Sequence, residues 1–257
     1  MPFTLSHPIL VVPIRRWLPL SALVVGSMAP DFLNFLQSPD SRNYGHTLPG
    51  LFVFCLPVGV VVLWLYHALL KEPLLGLLPD AHRARLQPYA RPFYFFPAKQ
   101  LLLILAALFI GAVTHIAWDS FTHRYGFFVE RFPIFEQVLF SLPGMRMPVF
   151  RLLQILGHGG FLVLIVWYWR WYQKAQPVIL PPRKALRPSH RNFLWAGILA
   201  AAFTSGLIAG CSAIREGFSL STLPFFAYDA VVTFMVVAAA VLLAYCLGWQ
   251  VYRRISI

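Results

Sequence analysis

The run Leu101-Leu-Leu-Ile-Leu-Ala-Ala-Leu-Phe-Ile-Gly111-Ala-Val-Thr-His115-Ile-Ala-Trp-Asp119 decides the fold class, because it is apolar almost throughout and contains no proline. A helix of about 20 such residues crosses a hydrocarbon core about 30 Å thick. Four other runs share this character: Leu48 to Leu70, Leu152 to Tyr172, Phe193 to Ile214 and Ala230 to Tyr252. A sixth, less regular run covers Leu18 to Leu36. The composition agrees, with 59% hydrophobic and 12% charged residues over 257 positions, whereas roughly a quarter of residues are charged in soluble domains. The expected fold is all-α: a polytopic membrane bundle of five or six transmembrane helices, with the lipid bilayer as its first partner.

The net charge of +12 needs no nucleic acid to explain it, because its distribution follows the positive-inside rule. If Leu18 to Leu36 spans the membrane, one set of loops carries fifteen of the 21 Lys and Arg residues, from Arg15 and Arg16 to Arg253 and Arg254. The other set carries six: Arg42, Arg124, Arg131, Arg146, Arg151 and Arg215. The first set, and the C-terminus with it, is expected in the cytoplasm. Three expected regions follow: a bundle over residues 1–172, a basic, proline-rich cytoplasmic linker over 173–192, and a C-terminal helix pair over 193–257. Thr204-Ser205-Gly206 reads as small-residue packing within that pair. Cys55, Cys211 and Cys246 all fall inside expected spans without paired spacing, so they read as core residues and not as a disulfide framework.

Residues 1–36 admit two readings. Proline at 2, 8, 13, 19 and 30 punctuates them, and proline inside a helix kinks or ends it. Leu5 to Ile14 and Leu20 to Ala29 can therefore fold as a hairpin, which brings His7 to the same side as Asp31. A straight helix would instead hold these two about 36 Å apart, on opposite faces of the membrane. An Arg-Arg pair ahead of an apolar run resembles a signal peptide, but the apolar residues preceding it argue against that.

His115 and Asp119 lie four residues apart, so on a helix they share one face and can converge on a single point. An imidazole and a carboxylate meeting there can bind a divalent metal, zinc first. They can equally form a structural His-Asp pair. Other polar groups gather near the same outward end: Asp31, His46, His123 and His158, with His7 as a seventh if the hairpin forms. His158 closes a polar stripe with Arg151 and Gln154 at helical spacing. Ionisable groups are costly in a bilayer, so several at one depth signal a functional site.

The pattern Gly111-x-x-x-His115-x-x-x-Asp119-x-x-Thr122, with Pro30-Asp31 and with Arg42 and His46-Thr47, resembles the YdjM-type membrane-bound metal-dependent hydrolases, a family similar to zinc-dependent phospholipase C and P1 nuclease. The run of His7-Pro8, Gly26-Ser-Met-Ala-Pro-Asp31, Gly45-His46-Thr-Leu-Pro-Gly and Thr114-His115-x-x-Trp118-Asp119-Ser-Phe-Thr-His123 is more closely similar to a bacterial membrane family defined as a domain of unknown function. That likeness extends to about Tyr172 and implies an integral protein of a bacterial inner membrane. Ser41, Leu33 and Asn34 stand where the hydrolase motifs have further ligands, so the expected complement is one or two ions, or none.

The resemblance implies metal-dependent hydrolysis of a phosphoester or lipid-type substrate at the outer face. The expected ligands are Asp31, His46, His115 and Asp119, with His7 and His158 as further candidates. His123, Glu130 and Glu136 are the candidate proton carriers. The competing expectation is a non-catalytic membrane protein in which the same groups pair structurally or carry protons or metal ions.

Overall fold

A computed structural model describes residues 4–35, 44–142, 145–180, 186–214, 217–219 and 221–255. After a short helix α1 (Leu20–Met28), five helices are long and apolar enough to cross a membrane. They are α2 (Leu48–Gly76), α3 (Ala98–Thr122, with a short extension to Arg131), α4 (Val149–Lys174), α5 (Pro188–Ala213) and α6 (Leu223–Ile255). The strands β1 (Val138–Leu142) and β2 (Met145–Pro148) pair in the connection between α3 and α4. The expected all-α bundle is therefore what the chain forms, with five helices of membrane-crossing length and apolarity among the described residues. The chain divides into two compact units, residues 1–65, 93–142 and 146–174 in the first and 66–92, 143–145 and 175–257 in the second.

In the first unit the run Leu18 to Leu36 breaks up, and the reason is its prolines. Turns of 3-10 helix occupy Thr4–Leu10 and Val12–Arg16, and α1 starts only after Pro19. A further 3-10 turn, Ala29–Asp31, then forms around Pro30. The chain descends against α4 and returns against α3, which makes it a hairpin. Thr4 and Asp31, at its two ends, are hydrogen bonded at 2.6 Å. Helix α3 begins directly after Pro97 and runs without a break, as its unpunctuated Leu, Ile and Ala sequence requires. Gly26 and Gly111 let α1 and α3 touch backbone to backbone. A Cβ on Gly111 would lie 2.5 Å from the Leu23 carbonyl oxygen and 2.6 Å from Ser27 N. Around this crossing Val11, Ala22, Leu23, Leu63, Ile104, Ala107 and Leu108 form the core.

Helix α2 starts at a capped turn. The Thr47 hydroxyl oxygen accepts from Gly50 N at 3.0 Å while its proton goes to the Tyr44 carbonyl at 2.8 Å, which fixes His46 one residue before the cap. Pro57 has no N–H to offer the preceding turn, and the backbone widens to a π turn over Leu51–Cys55. The helix runs on past Leu70 through Lys71 to Gly76.

In the second unit α5 and α6 form a pair around Ala202, Gly206 and Gly210, buried at four-residue spacing. A Cβ on Gly206 would lie 2.7 Å from the Ala230 carbonyl oxygen, the close approach that small residues allow in lipid. Pro188 opens α5 five residues before Phe193, in a position where its missing N–H costs nothing. Trp195 Nε1 donates to the Leu77 carbonyl at 2.9 Å, and Gln250 donates to the Leu69 carbonyl at 2.9 Å.

Candidate metal centre

The site is assembled where the first unit's segments meet at the C-terminal end of α3. Four side chains come from three segments: Asp31 from the turn after α1, His46 from the turn before α2, and His115 with Asp119 from α3. One donor atom from each lies within 4.8 Å of all the others. His46 Nε2 is 3.3 Å from His115 Nε2, and both face Asp119 Oδ2, at 3.3 and 3.2 Å. Asp31 Oδ1 lies 3.5 Å from His46 Nε2 and 3.6 Å from His115 Nε2. Donors about 2.0–2.2 Å from a tetrahedral ion are about 3.3–3.6 Å apart, so the five measured separations are those of such a shell.

Two of the donors, Asp31 and His115, are held by further contacts outside the group. Asp31 Oδ2 accepts from the Thr4 hydroxyl at 2.6 Å and Oδ1 from Asn34 Nδ2 at 2.8 Å. Burial alone would raise the Asp31 pKa, but hydrogen bonds from His115 and Thr4 outweigh it and hold the carboxyl below its ordinary range. His115 Nδ1 lies 2.7 Å from the Ser27 carbonyl oxygen. A carbonyl only accepts, so Nδ1 carries a proton and Nε2 is the ring atom turned to Asp31 and Asp119, the atom that would ligate an ion from the neutral ring. This contact depends on the Gly26–Gly111 crossing, which brings the Ser27 carbonyl to α3.

Electrostatics also ask for a cation. Asp31 and Asp119 are 1% and 6% exposed, and buried carboxylates need compensating positive charge. Among the described residues their ion-pair partners are all imidazoles. Were His46 and His115 both protonated, two N–H groups would oppose each other at 3.3 Å. One protonated and one neutral ring would pair without an ion; with both rings neutral, two lone pairs and two carboxylates would converge on one point, which a divalent ion would neutralise. The donor set and its spacing thus fit a metal such as zinc.

Asp119 faces two ways. Its Oδ1, opposite the four-donor group, lies 3.6 Å from His7 Nε2 and 3.5 Å from His123 Nδ1. The His7 ring stacks on His115 with centroids 3.7 Å apart. Both His7 nitrogens and Asp119 Oδ1 are buried without a hydrogen-bond partner. Burial, with His115 alongside, pushes the His7 imidazole down to about 3, so it is neutral at ordinary pH. His46 and His123 retain 23% and 28% side-chain exposure, which leaves the group reachable on their side.

Six of the nine side chains expected at the site are therefore brought together: His7, Asp31, His46, His115, Asp119 and His123. Three are not. His158 is exposed, with Nδ1 directed at the Ile155 carbonyl of its own helix at 3.2 Å. Glu130 and Glu136 are exposed in the connection after α3. Sequence reading passed over Thr4 and the Ser27 carbonyl, and it counted Asn34 only as a missing ligand. The three-residue spacing from Asp31 to Asn34 was the available signal, since it places both on one side of a turn.

The chain belongs to the family described as domain of unknown function DUF4184, whose model matches residues 1–247. No curated protein matches it, and no solved structure does.

Proposed function

We propose that this protein is a metal-dependent hydrolase of the membrane, acting on a phosphoester or lipid-type substrate. The observation that carries the reading is the four-donor group of Asp31, His46, His115 and Asp119, with separations of 3.2–3.6 Å, in which Thr4 and Asn34 hold Asp31 and the Ser27 carbonyl holds His115. The likeness of Gly111-x-x-x-His115-x-x-x-Asp119 to the YdjM-type hydrolases supports the same reading. So does the distribution of Lys and Arg, which even with Arg15 and Arg16 counted on the hairpin's side leaves the loops at this end the less basic ones, as expected of an outer face.

In this reading Asp31, His46, His115 and Asp119 hold a divalent ion, zinc first. With a fifth position open to water or substrate, such an ion would supply a Lewis acid for a phosphoryl or acyl oxygen and lower the pKa of water toward neutrality, so no serine or cysteine nucleophile would be required. His123, beside Asp119 and partly exposed, takes a proton from water or returns one to the leaving oxygen. His7, neutral and unpartnered, faces the same carboxylate from the buried side and orients what enters. Thr4, Asn34 and Ser27 keep the donors aimed, as outer partners do in metal sites.

The test is product release from bis(p-nitrophenyl) phosphate and from phosphatidic acid in mixed micelles, using detergent-purified protein loaded with zinc or manganese. Release that disappears on chelation and returns with metal supports the proposal. No release with either ion, from protein shown to hold it, would overturn it.

A further inference from the structure

Between the N-terminal hairpin and α4 lies a slot of about 110 Å3, lined by Ser6, His7, Ile9, Leu10, Trp118, Leu156, Gly157 and Gly160. Its inner wall is the buried face of His7, the ring that stacks on His115. The remaining lining is apolar apart from the Trp118 indole N–H, which faces Gly157, and Ser6, whose hydroxyl donates to the His158 carbonyl at 3.3 Å. Two glycines shape it. A Cβ on Gly160 would lie 3.0 Å from the Ser6 carbonyl oxygen, and one on Gly157 would lie 3.0 Å from Trp118 Nε1. Being three residues apart, they clear one face of α4.

The rim of the slot is greasy. Leu10 is 37% and Leu156 62% exposed, and α4 has no buried residue along its length. Gly157 and Gly160 lie three and six residues past Gln154, where the apolar part of α4 begins, a depth of about 5–9 Å along the helix at 1.5 Å per residue. In a membrane that depth faces acyl chains, not bulk water. Cavities on the order of 150 Å3 hold a benzene ring, so this one has room for a few methylene groups.

We propose that the slot binds the headgroup-proximal part of an acyl chain, so that the substrate is a phospholipid entering sideways from the bilayer. The inference rests on the hydrolase reading for the fate of that lipid, though not for its binding. The chain lies between Leu10 and Leu156 with its ester end at His7, whose ring stacks on His115 of the four-donor group. Hydrolysis there joins the oxygen of water to phosphorus and breaks the phosphorus–oxygen ester bond, and a proton passes to the departing oxygen. A soluble phosphoester has nothing to place in the slot and is a poor substrate.

The test uses full-length protein in phosphatidylcholine vesicles with a phosphatidic acid probe carrying a photoactivatable diazirine near the carboxyl end of its chain. Labelled peptides are mapped by mass spectrometry in the wild type, Leu156→Trp, Leu10→Trp and His115→Ala. The expected labels fall on the segments holding Ile9 and Leu10 and holding Leu156 to Gly160, and each Trp variant lowers them about fivefold, the equivalent of about one lost methylene contact. His115→Ala keeps the labelling while losing metal. Labels spread evenly over the apolar helices, or unchanged in both Trp variants of wild-type thermal stability, would overturn the slot. Labelling at the slot without hydrolysis by metal-loaded protein leaves the slot standing and removes the hydrolase reading, so the two failures are distinct.

Discussion

The two units bury opposite things. Among the described residues the first unit encloses Thr4, Ser6, His7, Ser27, Asp31, Asn34, His115, Asp119 and Thr122, whereas the second encloses a single such side chain, Lys71. Lys71 is answered simply, its Nζ donating to the Arg91 carbonyl at 2.6 Å. The α5–α6 pair has little inside it beyond Ile198, Ala202, Gly206, Gly210 and Cys246. Both units use glycine for close helix contact, but to different ends. In α5 Gly206 only tightens a pair, while in α3 Gly111 lets the Ser27 carbonyl reach His115. Small-residue packing alone builds a membrane helix pair. The same packing placed one turn before a histidine aims a donor.

The strongest way to break this contrast is Asp119→Asn. It keeps the shape but withdraws a charged donor from a buried group, so metal affinity falls by at least about 100-fold, beyond the roughly 10–100-fold that outer partners are worth. Elemental analysis and product release read the loss. Asn34→Ala and Thr4→Val come next. Each removes one hydrogen bond to Asp31, and titration with zinc against a competing chelator should show affinity about 10–100-fold weaker with the helical circular dichroism unchanged.

Gly111→Ala and Gly206→Ala sharpen the comparison directly. Each new Cβ meets a carbonyl oxygen at under 3 Å, and overpacking of this kind costs about 1–3 kcal/mol. Both variants should melt at lower temperature, but only Gly111→Ala should also lose metal, because only it displaces the Ser27 carbonyl. The smallest effects are expected from Glu130→Gln, Glu136→Gln and His158→Ala. These residues are exposed and outside the donor group, so stability should change by no more than about 0.5 kcal/mol, and metal content should match the wild type.

The five spans and the His115–Asp119 pair were legible because each depends on one short-range rule: apolar length in one case, four-residue spacing in the other. The helix ends were less so. Helix α6 starts at Leu223 and not Ala230, enclosing Phe225, Phe226 and Asp229, because a helix in lipid continues until its backbone groups reach water or a cap. The N-terminal fold was ambiguous for a different reason. Prolines mark where a helix cannot continue but not which way the chain turns. The turn is decided by contacts distant in sequence: Gly26 against α3, Thr4 against Asp31, and His7 against His115. The polar stripe of Arg151, Gln154 and His158 is real in spacing. His158 nonetheless remains exposed, with Nδ1 directed at its own helix. The Ser27 contact left no trace to read, since it is made by a backbone carbonyl that any residue would supply.

Asp31, His46, His115 and Asp119 are proposed to form one metal site. This is tested most directly by elemental analysis of detergent-purified protein after metal-replete growth and washing, beside His46→Ala and His115→Ala of comparable thermal stability. The account predicts one or two divalent ions per chain in the wild type, lost in both variants. Wild-type protein without stoichiometric metal, or metal retained equally in both variants, would contradict it and leave the cluster as a structural network of buried His-Asp pairs.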